Sequence, residues 1–468
     1  MSKLTGFLAC PGLLLLLLAP LPVWCQAPSE ANGGTNAELS GGAPSPGQVP
    51  PEASGGTMPE SPMAIPPIVN AEPFPTTTLS EKLVNGLFGT VSFKPAYDDN
   101  VVPNDRDRPV ADESYTLGSG LWFNTTGPRF HQNLSYTPGF TFFQRVTERN
   151  DAYQHAMLNT QYLWTPHIAI SLRDAFAQSG NAFDQYAPGV PISGAPTPYS
   201  FLTGAIYAPL ISNNATGEAT YQFAKASMIG GGGGTNFYDY TDPALNPGIY
   251  NSNSRNGSGF YSHRISEAGY LGATYQYGKV LAFPSSGLVT THMDTILAFY
   301  ADQSAVGPIV SVAFGPQYYD VAEPGLPKSG AWTPMFMGSL GWQTEHANLV
   351  ASYSRQVTGG GGLAGDYHSN SVHVLGEWRM TRIWTVSGSA TYERVNSVLP
   401  LPHIFAPGGT TIIGMGSIER PLGGNLRARF VYQRFHLSYP GLAAVANDPD
   451  ADQVSVDISY WFNHELGR

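Results

Sequence analysis

Seven charged residues stand out by parity rather than by motif: Arg173, Glu377, Arg379, Glu393, Arg427, Arg429 and Asp457. Each sits on the polar side of a segment whose neighbours alternate between polar and apolar. Arg355 joins them less regularly. On the inner wall of a water-filled channel, such groups set the local field and select solutes by charge. They could equally be paired charges that stiffen a wall. Arg427 and Arg429 share one face and should leave a local positive patch, while Glu377 and Arg379 should offset each other. The signs are mixed, so no strong preference for anions or cations is expected.

Other groupings point to less. Asp98, Asp99, Asn100, Asp105 and Asp107 are clustered oxygen ligands of the Ca²⁺-binding type. Their spacing is not that of a helix–loop–helix Ca²⁺ loop, so a solvated acidic loop is the simpler expectation. Gly230 to Gly234 lack the Gly-Lys-Ser/Thr ending of a phosphate loop, so the run should relieve crowding or bend a strand. Eleven histidines are scattered from His131 to His464, none in His-Glu-x-x-His spacing. Asn124, Asn133 and Asn214 sit in Asn-x-Ser/Thr patterns, which would mean little if the chain is bacterial. No metal, no cofactor and no enzymatic activity are expected. A hydrolase with its nucleophile at a barrel rim stays as a remote alternative, because geometry and not spacing defines a Ser–His pair.

The elements that must position the charged residues read as strands. From Gln453 to Phe462, Val454, Val456, Ile458, Tyr460 and Phe462 alternate with Gln453, Ser455, Asp457 and Ser459. A strand turns successive side chains to opposite faces, so this segment has one greasy and one wet face. Similar alternation runs through Ala156–Trp164, Ile168–Arg173, Val372–Arg379, Trp384–Glu393 and Leu426–Gln433. Trp164, Trp342, Trp378, Trp384, Tyr392, Tyr460 and Phe462 fall near strand ends, where a membrane protein keeps its interfacial aromatics.

Tight connections at 165–166, 346, 380–381 and 422–424 alternate with long ones at 179–212, 238–259, 358–369, 396–410 and 437–451. Short inner turns and long outer loops are the rhythm of an outer-membrane barrel. The expected fold is all-β: an antiparallel transmembrane β-barrel of 16–18 strands. Strands are required at Phe88–Asp98 and Ser114–Asn124, with a short one near Val280. The lower count applies if the weak pair near Pro284 does not form. The loop 179–212 is long enough to fold into the lumen as a constriction.

Composition agrees. Charged residues are 12% of the chain, about half the usual soluble share. The net charge of −11 argues against a nucleic-acid partner. Lys3, the apolar run Leu13–Ala19 and the small residues near Ala27 have the order of a signal peptide, residues 1–25, cleaved after Cys25 or Ala27. The two cysteines, Cys10 and Cys25, would both leave with it. Residues 26–80 are rich in Pro, Gly and Ala and read as a disordered periplasmic linker. The barrel takes 81–468.

One stretch resembles a known group. Phe93-Lys94-Pro95-Ala96-Tyr97-Asp98-Asp99-Asn100-Val101 closes the first strand, and Tyr136-Thr137-Pro138-Gly139-Phe140 lies on a later one. This combination resembles β-barrel porin families of Gram-negative outer membranes, some of which sit in exopolysaccharide-export loci. The chain departs from the usual barrel ending, because Asn463 to Arg468 follow the terminal aromatic Phe462. The resemblance implies a Sec-exported outer-membrane channel for passive or weakly selective diffusion of small solutes. The alternative is a barrel anchor for a polysaccharide-export or surface assembly. Expected partners are outer-membrane lipid, the barrel-assembly machinery, and envelope polysaccharide or export components.

Overall fold

The structure is a computed structural model that describes residues 85–101, 107, 109–179, 210–241, 249–284, 287–302, 307–325, 327–359, 366–398, 408–440 and 448–465. The expected signal peptide and linker lie outside these residues. So does most of the expected constriction loop, 180–209.

Eighteen strands follow one another: β1 (Gly86–Asp98), β2 (Asp112–Thr126), β3 (Phe130–Phe143), β4 (Asp151–Thr165), β5 (Ile168–Ser179), β6 (Leu210–Ala224), β7 (Ser227–Tyr240), β8 (Ser252–Arg264), β9 (Gly269–Ala282), β10 (Val289–Asp302), β11 (Gly307–Ala322), β12 (Ser329–Gln343), β13 (Ala347–Gly359), β14 (Asp366–Arg379), β15 (Thr385–Ser397), β16 (Gly408–Gly423), β17 (Leu426–Ser438) and β18 (Asp450–Glu465). Each pairs antiparallel with its sequence neighbours, and β1 also pairs with β18, so the sheet closes. Closure removes both sheet edges, which is what lets a sheet stand in lipid with every backbone group paired.

The count of eighteen settles the expected range. The strand near Val280 is not short: β9 has 14 residues, and β9 pairs with β10 along its whole length beside Pro284. The long loops are shorter than the alternation implied, because the strands run on past their apolar stretches. Between β7 and β8, only 241–251 is connection.

Period two decides the two faces. On β18, Val454, Val456, Ile458, Tyr460 and Phe462 are exposed, whereas Gln453, Ser455 and Asp457 are buried. The same pattern repeats around the wall, leaving Phe314, Trp332, Leu340 and Trp342 on the outside. Trp332, 65% exposed, is the extreme. A continuous apolar belt of this kind far exceeds the few hundred Å² that soluble monomers leave in water, and lipid is the solvent that suits it.

The inner face is not uniformly wet. Met228, Phe260, Tyr270, Leu297, Phe299, Ala313 and Met335 form one buried apolar cluster across β7–β12. On β10 both faces carry apolar residues (Ile296 and Tyr300 outside, Leu297 and Phe299 inside), so alternation alone could not orient that strand.

The seam between β1 and β18 explains the acidic cluster. Asp98 accepts the Asn100 N–H at 2.9 Å, Asn100 Nδ2 donates to the Asp450 carbonyl at 2.8 Å, and Asp99 accepts the Asp452 N–H at 2.7 Å. Asn100 and Asp99 thereby staple β1 to β18, and Asp98 holds the Asn100 backbone in place. Asp105 lies outside the described residues.

Candidate functional site: the lumen

The top of one hairpin has left the wall. β12 pairs with β13 only from Phe336↔Arg355 to Gln343↔Asn348. Above that, Ser329–Met335 have no partner on β13, yet β13 and β14 stay paired up to Gly359↔Asp366. The freed top of this hairpin leans inward and packs on the inner faces of β9–β11. Gln317 on β11 clasps it with two hydrogen bonds: its Oε1 accepts the Val357 N–H at 2.7 Å and its Nε2 donates to the Val357 carbonyl at 3.2 Å. The Thr291 hydroxyl donates to the Asp366 carboxylate. Val357 joins Val280, Ala282, Val289, Met293, Tyr319 and Val321 in an apolar cluster, and His368 meets Tyr319 edge-on at 5.9 Å.

Parity survives this bend but changes meaning. Val357, Asp366 and His368 follow the outward positions of their strands. Because the hairpin top stands inside the barrel, those positions face the inner wall at β9–β11 and not lipid. Val357 is 1% exposed and Asp366 is fully buried for that reason. Arg355, where the hairpin departs, follows the outward face with Tyr353 and is exposed. It is not on the polar inner wall. The β5–β6 loop, the expected constriction, lies mostly outside the described residues; the described segment that leans into the lumen is the top of β13–β14. Nearby, the Tyr439 hydroxyl lies 2.7 Å from Thr411 Oγ1. Burial pushes that hydroxyl above its ordinary range, so it stays a neutral hydrogen-bonding group.

The seven predicted charged positions all fall on the inward parity. Glu377, Arg379, Glu393, Arg427, Arg429 and Asp457 gather on β14–β18, whereas Arg173 stands apart on β5. Register brings Arg429 opposite both Glu419 and Asp457. Arg427 Nη1 lies 3.3 Å from Glu419 Oε1. Lys94 on β1 adds a positive charge beside Asp457. With Glu377 also near Arg429, the expected positive patch is a ladder of alternating sign, and Glu419, not singled out by the sequence, offsets it together with Asp457 and Glu377. Higher up, Ser369 donates to Glu393 at 2.8 Å.

Six of the predicted interfacial aromatics, Trp164, Trp342, Trp378, Tyr392, Tyr460 and Phe462, are exposed on the outer face. Trp384, at the foot of β15, lies under the Arg420 guanidinium at 5.1 Å. Two tryptophans point the other way. Trp122 and Trp461 lie on the inward parity of β2 and β18 and stack at 5.5 Å with a 12° tilt. The signal was present in the sequence: Trp461 interrupts the wet face between Ser459 and the end of the strand.

No family model and no characterised protein sequence matches the chain. Among solved structures, it is similar to OccK2 of Pseudomonas aeruginosa in complex with glucuronate, at 9% identity and a TM-score of 0.41, covering 81% of this chain and 98% of that one. It is similar to OccAB4 of Acinetobacter baumannii at 8% identity and a TM-score of 0.37, covering 82% and 100%. It is also similar to the unliganded ferric citrate transporter FecA at 10% identity and a TM-score of 0.39, covering 82% and 80%. Likeness at this level says nothing about what this barrel handles.

Proposed function

We propose that the chain is an outer-membrane channel for passive or weakly selective diffusion of small solutes, with its bore set by the β13–β14 hairpin. One observation carries this: a closed wall that is apolar outside encloses an inner wall carrying a charge-balanced ladder on β14–β18. Interior charge in a barrel costs less where water reaches it, and balanced charge favours permeation without strong selection. The short connections, such as 166–167 and 424–425, take the periplasmic side, and the long ones face outward. Outer-membrane lipid and the barrel-assembly machinery are the partners this reading requires.

The test is purified protein in planar bilayers. Stepwise conductance that grows in proportion to salt supports the channel. The apolar packing of Val280, Tyr319 and Val357 inside the wall favours a second reading, a closed barrel that anchors an envelope polysaccharide or export component. Absence of conductance, with such a component co-purifying, would support that reading instead.

A further inference from the structure

We infer that Trp122 is the platform of a binding subsite for a neutral sugar ring on the inner wall, near the short-turn end; the inference rests on the channel reading for its access route. Four residues from four strands hold one another in a row. Glu419 Oε1 fixes Arg427 at 3.3 Å, and the Arg427 guanidinium lies 4.7 Å from the centre of the Trp461 ring. Trp461 is pinned in turn, because its indole N–H donates to Ser459 Oγ at 3.2 Å. Trp122 stacks on Trp461 at 5.5 Å.

The row ends unfinished. Among the described residues, Trp461 is the one ring that stacks on Trp122, no cation does, and the half-buried Trp122 side chain has no hydrogen-bond partner for its indole N–H. An indole N–H that no protein group accepts is a donor left for water or a ligand. A preorganised ring with an open donor is a recognition element more than a packing element.

The glycines beside it make room for neighbouring side chains. Gly118 and Gly120 share the inward face of β2 with Trp122. A Cβ on Gly120 would come within 2.2 Å of the Trp122 ring, so only glycine lets the ring lie along the strand. A Cβ on Gly118 would lie 2.8 Å from Ser92 Oγ and 2.9 Å from Tyr153 Oη. Two hydroxyls therefore meet over Gly118, one inward position along β2 from the Gly120 site that the Trp122 ring covers.

A sugar ring fits that chemistry. Its C–H face stacks on an indole, and its hydroxyls both donate and accept, as do Ser92 and Tyr153. An organic ion gains little, because Glu419 offsets Arg427 and Asp457 offsets Arg429 at the adjacent rungs.

Maltotriose block of single-channel current, with benzoate as the flat ionic comparison, tests this on the full-length protein. Millimolar maltotriose should block the wild type. Trp122→Ala should raise the half-blocking concentration at least tenfold, Trp122→Phe by a few-fold, and outward Trp342→Ala not at all, all four migrating as folded barrels. A conducting channel that maltotriose does not block, one blocked equally well after Trp122→Ala, or one blocked better by benzoate overturns the subsite. A barrel that never conducts sinks the channel reading alone. Tryptophan fluorescence titrated with maltotriose in detergent then decides the subsite: a change present in the wild type and absent in Trp122→Phe supports it, and no change overturns it.

Discussion

A Cβ built on Gly359 of β13 would lie 3.3 Å from the Val280 Cβ on β9. Along the wall, β10, β11 and β12 stand between them, so the path is four strand spacings, on the order of 19 Å. The two residues meet only because the β13–β14 hairpin has moved inside the barrel. Glycine at 359 permits the approach, since a side chain there would strike the Val280 methyl groups at 2.7 Å.

That proximity gives a direct lock. Disulfides need Cβ atoms roughly 3.5–4.5 Å apart, which a small shift supplies. Val280→Cys with Gly359→Cys should form a bond on oxidation, seen as a mobility change on a non-reducing gel. If the hairpin sets the bore, conductance of the oxidised double variant should fall to half or less and recover with reductant. Failure to oxidise would show that the hairpin does not sit where the contacts put it.

Gln317 is the clasp that should be easiest to undo. Gln317→Ala leaves the Val357 N–H and carbonyl without their partner, a loss of about 1–3 kcal/mol in a buried site. Hydrogen exchange at the Val357 amide should speed up at least fivefold, and mean conductance should rise. Unchanged exchange would assign the hold to the apolar cluster alone.

Neighbouring positions on β18 test which face meets lipid. Val456 is 39% exposed and Ser455 is 4% exposed. Val456→Arg should impair assembly by about 2–4 kcal/mol if it lies near the bilayer midplane, and Ser455→Arg by less, since its side chain points into the barrel. Heat-modifiability gels would show the difference. Equal tolerance would contradict a lipid-facing outer wall.

Most of the barrel could be read from β18 outward, because lipid on one side and water on the other enforce period two. Where that contrast fails, the reading fails. Leu297 and Phe299 are apolar on the inner face, so β10 carried no alternation to orient it. Val357 and His368 kept their outward parity but face protein, since the bend of their hairpin is a tertiary fact with no local signature. Glu419 escaped notice for a related reason. Its role depends on register with Arg429, which pairs β16 with β17 and is not encoded within either strand.

The last prediction concerns barrel closure. Gly89 on β1 faces outward opposite Phe462 on β18, and a Cβ there would reach into the Phe462 ring at 1.9 Å. The ring thus lies across the glycine and covers the seam, the aromatic standing in for the missing side chain. Gly89→Ala makes the exposed ring swing aside, at a cost of about 0.5–1.5 kcal/mol. Gly414→Ala is the matched control, because nothing lies within 4 Å of a Cβ at that position. In a Phe462→Leu background the Gly89→Ala cost should shrink, since the smaller side chain leaves room; a double-mutant cycle on denaturant midpoints measures that coupling. Additive losses would mean that the ring and the glycine do not share the seam, and that the hydrogen bonds from Asp98, Asp99 and Asn100 close it without them.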